Sequence, residues 1–104
     1  MDYLPEAYRG FQRRFPKISE TYAELAIRCH DGGPLDEKTR ELVKLGIAIG
    51  LSSEGAVRSH ARRALAAGVT PEGVRHVVLM SLTTAGFPAM IASMKWVDEV
   101  LKKQ

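Results

Sequence analysis

Two side chains of types that serve as general acids and bases stand in consecutive segments of this chain. Glu41 opens ELVKLGIAIG, and His60 lies within GLSSEGAVRSHARRAL, residues 50–65. A carboxylate beside an imidazole is a common arrangement for general acid–base work, because the carboxylate orients the ring and selects its tautomer. On a helix with His60 at zero, Ser53 falls at about 20°, Ala56 at about −40°, Val57 at about 60°, Ala64 at about 40° and Ala67 at about −20°. His60 is therefore expected mid-stripe on a narrow face of small residues, with Arg58, Arg62 and Arg63 directed away. Small side chains let a neighbouring helix approach closely, or leave room for a ligand. The spacing also admits a plain alternative, a core histidine bonded to backbone or water.

The elements that must position this pair are helices. Pro5 can open a first helix to about Phe15, where Pro16 blocks continuation, and Ser19 can cap a second. That second helix carries the stripe Tyr22, Leu25, Ala26 and Cys29 and ends at the turn DGGP, residues 31–34. Asp36 can cap a third helix, from Glu37 to about Ile49, and Ser52 or Ser53 a fourth ending at Gly68. Thr70-Pro71-Glu72 combines a cap, a first-turn proline and a first-turn acid, opening a fifth helix to about Thr84. Gly86-Phe87-Pro88 breaks the chain before a sixth helix reaching Leu101. No run alternates β-branched and polar residues long enough for a strand, so the fold class is all-α with about six helices. A short connection makes helices three and four a central antiparallel hairpin. Glu41 and His60 then lie at equal depth, each roughly 10–12 Å from the turn, so contact across the hairpin is possible.

The last helix, FPAMIASMKWVDEVL, has little polar face over its first three turns. Phe87, Met90, Ile91, Met94, Val97 and Leu101 form the expected buried stripe, widened by Ala89, Ala92, Ser93 and Trp96. A helix apolar most of the way round needs cover on several sides. In a chain of 104 residues, a second subunit is a natural source of that cover.

Composition narrows the function classes. The chain is 45% apolar and 26% charged, ordinary globular values for a single domain spanning residues 1–104. Its longest apolar run, Leu45 to Leu51, falls far short of the ~20 residues a membrane span needs. The charged start MDYLPEAYRGFQRR lacks the apolar core of a signal peptide, so a cytoplasmic location is expected. A single cysteine, Cys29, excludes a disulfide within the chain, and core packing is its expected role. No metal site is expected, since Cys29 and His30 are adjacent and His76 has no partner at ligand spacing. The net charge of +3 is spread over helix faces. Ala64, Gly68, Val69 and Val74 have helix-turn-helix spacing. The following helix, however, would offer base edges only Glu72, Arg75 and His76, so no nucleic-acid partner is expected.

The run LDEKTRELVKLGIAIGLSSEGAVRSHARRALAAGVTPEGVRHVVLMSLTTAGFPAMIASMKWVDEVL resembles the carboxymuconolactone decarboxylase family, within the alkylhydroperoxidase D-like superfamily. The resemblance covers residues 35–101, leaving residues 1–34 as divergent N-terminal helices. LDEKTRELV, RSHARRALAAGVTPE and GFPA carry it most specifically. In the redox branch of that superfamily, a glutamate precedes a Cys-x-x-Cys pair that is followed by a histidine. Laid on this chain, the glutamate is Glu41, the histidine is His60, and the cysteine positions fall on Ser53 and Ala56. Without sulfur at either position, dithiol peroxidase chemistry is not available.

The resemblance therefore implies cofactor-free decarboxylation, or related proton transfer, on a small carboxylated lactone-type substrate. Glu41 and His60 would be the catalytic pair, and the protein a homo-oligomer, a trimer or a hexamer built from trimers. Ser53 is either a helix cap or a ligand contact. Arg40 and Arg58 are candidates to hold the substrate carboxylate if a neighbouring subunit brings them to the pocket. Tyr3, Tyr8, Phe11, Phe15 and Tyr22 are candidates to shape it. A non-catalytic ligand-binding or structural member of the same superfamily remains the alternative.

Overall fold

The computed structural model describes residues 6–103, and among them every regular element is helical. The chain divides into two compact units, residues 1–34 and 35–104.

The first unit holds α1 (Glu6–Arg14) and α2 (Pro16–His30). Pro5 and Tyr3 lie outside the described residues. Pro16 ends one helix and begins the next, because a residue without an N–H loses nothing in a first helical turn. The expected start at Ser19 is thus corrected: Ser19 is a buried residue inside α2. Tyr8, Phe11 and Phe15 follow one another at ring-centroid separations of 6.2 Å, along the join between the helices. Tyr22 and Leu25 remain more than half exposed. Cys29, expected in a core, is exposed as well. A partner as short as α1 covers only a small arc of α2.

In the second unit, α3 (Glu37–Gly50) begins at Asp36, whose carboxylate accepts the Thr39 N–H at 2.9 Å. The chain leaves α3 through Ser52, a non-glycine residue at φ 51°, and Ser53 reaches back to the Ala48 carbonyl at 3.1 Å. This tight exit folds α4 (Glu54–Ala66) back along α3 as a hairpin. Gly68 at φ 99° turns the chain, and Thr70 caps α5 (Pro71–Met80) by accepting the Gly73 N–H at 3.0 Å.

Helix α5 ends earlier than Thr84. The Ser81 hydroxyl donates to the Val78 carbonyl at 2.6 Å, and a short 3-10 turn, Ser81–Thr83, follows. The Ser81 carbonyl then collects the N–H groups of Thr84, Ala85 and Gly86 at 3.2, 2.7 and 3.1 Å. Gly86 at φ 107° launches α6 (Phe87–Lys102).

Leu45 and Ile49 of α3, Val57, Ala61 and Ala64 of α4, Val74 and Val78 of α5, and Met90, Val97 and Val100 of α6 form the core. On α6 the buried line is Met90, Ser93, Val97 and Val100. Phe87, Ile91 and Met94 of the expected stripe are instead 59%, 44% and 40% exposed. An almost wholly apolar helix offers several equivalent arcs, and the small Ser93 lets this one approach most closely. No described helix is long and apolar enough to cross a membrane.

Candidate functional site

The hairpin of α3 and α4 brings Glu41 and His60 together. Oε1 of Glu41 lies 3.0 Å from Nδ1 of His60, and their side chains are 8% and 19% exposed. Glu41 sits on the buried line of α3 with Leu45, Ala48 and Ile49, so the core dictates where its carboxylate can reach. A carboxylate this enclosed must be hydrogen-bonded, and the imidazole supplies that bond. With Glu41 ionised, Nδ1 is the donor in this bond and Nε2 takes no part in it.

His60 does not lie mid-stripe. The buried line of α4 is Val57, Ala61 and Ala64, which rotates the core-facing arc about 65° away from the histidine. His60 therefore occupies one edge of that arc, half sheltered, a position from which a ring can reach both a buried carboxylate and solvent.

The positions aligned with the family's cysteines lie at the start of the same helix. Ser53 is the N-cap residue of α4, yet its side chain makes no capping bond. Ala56 is partly buried and packs against the core.

Arg58, expected to point away, borders the opposite edge of the buried arc. Its Nε donates to Glu54 at 3.1 Å, and its Nη2 donates to Glu99 near the end of α6. The Glu99 hydrogen bond holds the guanidinium firmly charged, above its ordinary value, with Glu54 assisting. The same bond pulls the Glu99 carboxyl below its ordinary range. Arg40 donates to the Leu35 carbonyl at 2.7 Å. Both candidate arginines are thus engaged within the chain.

The Arg58–Glu99 contact was not legible in the sequence, because its partners are 41 positions apart. Only the Glu54–Arg58 half, at helical spacing, could be read. Ser93, fully buried and with no partner for its hydroxyl among the described residues, was likewise hidden within an apolar helix.

Among the described residues, no group of His, Cys, Asp or Glu could hold a metal ion. A groove of about 290 Å³ runs between α5 and α6, lined by Val78, Leu79, Met94 and Val97 with Arg75 and Asp98. It does not include Glu41 or His60.

The model of the carboxymuconolactone decarboxylase family matches residues 14–99. The match takes in α2, which the resemblance over residues 35–101 did not reach. An uncharacterized protein of Methanocaldococcus jannaschii is 28% identical, over 99% of this chain and 97% of its own length. A second uncharacterized protein of that organism is 25% identical, over 94% of this chain and 95% of its own. A 4-carboxymuconolactone decarboxylase of Acinetobacter baylyi is 34% identical, over 93% of this chain and 71% of its own length.

Proposed function

This chain belongs to the carboxymuconolactone decarboxylase family, and we propose that its Glu41–His60 pair moves a proton in the cofactor-free decarboxylation, or a related proton transfer, of a small carboxylated lactone-type metabolite. The observation that carries this reading is the 3.0 Å contact between Glu41 Oε1 and His60 Nδ1, made by a carboxylate only 8% exposed. The similarity to a relative named as a 4-carboxymuconolactone decarboxylase supports the choice of reaction.

In that reaction the carbon–carbon bond to the carboxylate breaks, CO2 departs, and the electron pair remains on the substrate carbon or its conjugated system. Nε2 of protonated His60 delivers the proton that replaces CO2. Glu41 holds the ring through Nδ1 and stabilises the imidazolium before that transfer. An acid so placed contributes about 10²–10⁴-fold, so the surroundings of the substrate supply the rest. Arg40 and Arg58 are already engaged, which suits a departing carboxylate left weakly solvated rather than clamped. Ser53, whose side chain does not cap α4, is the hydroxyl available for a ligand contact beside Ala56.

The same reading has the protein act in the cytoplasm as a homo-oligomer, a trimer or a hexamer built from two trimers. Leu79, Met80, Phe87, Ile91 and Met94 are between 40% and 60% exposed, apolar surface that a neighbouring copy would cover.

The test is CO2 release and lactone consumption with a carboxylated muconolactone, comparing the parent protein with His60→Gln. Turnover in the parent and its loss in a folded, equally oligomeric variant are expected. A parent protein that binds the lactone without releasing CO2 would replace this reading with that of a non-catalytic binder.

A further inference from the structure

Helix α4 meets its neighbours through a face on which small residues prevail. Its fully buried residues are Val57, Ala61 and Ala64, with Ala56 and Leu65 packed partly buried against the core. Small side chains permit close approach, but they interdigitate poorly and do little to fix how a helix is rotated. Two polar contacts flank this face. His60, on one edge, reaches Glu41 of α3, and Arg58, on the other, reaches Glu99 of α6. On a helix, positions 58 and 60 stand about 160° apart around the axis, so the contacts hold α4 from opposite sides.

We propose that Arg58 and Glu99 form a latch that fixes the rotation of α4, making Arg58 a positioning residue for His60 rather than a substrate clamp. The geometry supports this in three respects. Arg58 is the more sheltered partner, its side chain 22% exposed against 38% for Glu99. Its guanidinium is held in two directions, by Glu54 one turn earlier in α4 and by Glu99 of α6, which restricts its rotamers. A further described ion pair between helices of this unit, Arg75–Asp98, is longer at 3.5 Å and more exposed. Polar contacts of this type specify register where apolar packing does not. With the latch open, α4 can rotate on its alanine face, and the first contact to suffer is the one at its opposite edge, His60 with Glu41.

The consequence for turnover rests on the proposed decarboxylase reading, but the latch itself is testable without substrate. In protein carrying 15N-labelled histidine, the proton on His60 Nδ1 should give a resolved, slowly exchanging signal, because it bonds to a buried carboxylate. Arg58→Met and Glu99→Met should each reduce that signal at least threefold, and Arg58→Lys should restore part of it. Arg75→Met, which severs a different interhelical pair, should leave it unchanged. The inference is overturned if Arg58→Met and Glu99→Met retain the parent signal, if Arg75→Met loses it equally, or if the parent shows none. Should Arg58→Met fail to fold by circular dichroism, Glu99→Met, which removes the acceptor from the other side, decides. A parent protein without decarboxylase activity would remove the proposed function and leave this result standing.

Discussion

Glu41 and His60, 19 positions apart and on different helices, meet at 3.0 Å through one carboxylate oxygen and one ring nitrogen. Their enclosure differs, the carboxylate being the deeper, which orders their roles. In the proposed reaction Glu41 is the fixed partner and His60 the one that meets the substrate.

The pair should be separable by substitution. Glu41→Gln keeps an acceptor for Nδ1 but removes the charge that supports an imidazolium, so turnover should fall about 10²-fold or more at little cost to folding. His60→Ala leaves a buried carboxylate unpaired and should also destabilise by roughly 1–3 kcal/mol. Steady-state kinetics beside urea unfolding measures both. If the two variants lose equal stability and no activity, the pair is structural.

Ser52 is a left-handed residue in the turn between the two site helices, at φ 51°. Ser52→Gly should raise stability by roughly 0.5–1 kcal/mol, because glycine adopts that backbone without a Cβ penalty. Ser52→Val should lower it. Thermal melts of the two variants should move in opposite directions, with the Glu41–His60 contact unaffected.

Asp36 contributes a pH-dependent share of the stability of α3. The hydrogen bonds from Thr39 hold its carboxyl below the ordinary 3.8, helped by Arg40 and Lys38. Its folded value is depressed, so the contribution is complete above 3.8 and disappears as pH falls through the lower folded value. The melting temperatures of the parent and Asp36→Ala should therefore differ at neutral pH and converge as that carboxyl becomes protonated. A constant gap down to strong acid would contradict this.

Ile91 and Met94 lie on the exposed arc of α6, 44% and 40% exposed. Ile91→Glu should dissociate the proposed oligomer in light scattering without loss of helicity. A charge there would have to be desolvated at an interface, whereas a monomer leaves it in water. An unchanged oligomer mass would place the interface elsewhere.

Ser53 and Ala56 permit a test of what the missing sulfur removed. Their replacement by cysteines, leaving Cys29 as alanine, should produce a pair that closes on mild oxidation, since Cβ atoms three positions apart need only a modest adjustment from about 5–6 Å. Loss of two titratable thiols per chain would show closure.

Helix ends were legible wherever backbone hydrogen bonding stays local. Asp36, Thr70, Gly68 and Gly86 all act as their residue types require, by capping or by adopting a positive φ. Ser19 misled because Pro16 had already opened the helix, a competition between two start signals three positions apart. The expected run of α5 to about Thr84 failed for another reason, since the Ser81 carbonyl draws three N–H groups to itself and the helix ends early.

The amino-acid sequence by itself determined that the chain is helical, where its turns fall, and that Glu41 and His60 stand at equal depth along a hairpin. Those properties depend on hydrogen bonds and spacings within a few residues. Tertiary structure decided which arc of α6 is buried, that Cys29 stays outside, and that Arg58 finds Glu99. Each of these depends on what lies across an interface, and a nearly uniform apolar or alanine-rich face carries no local mark of its partner.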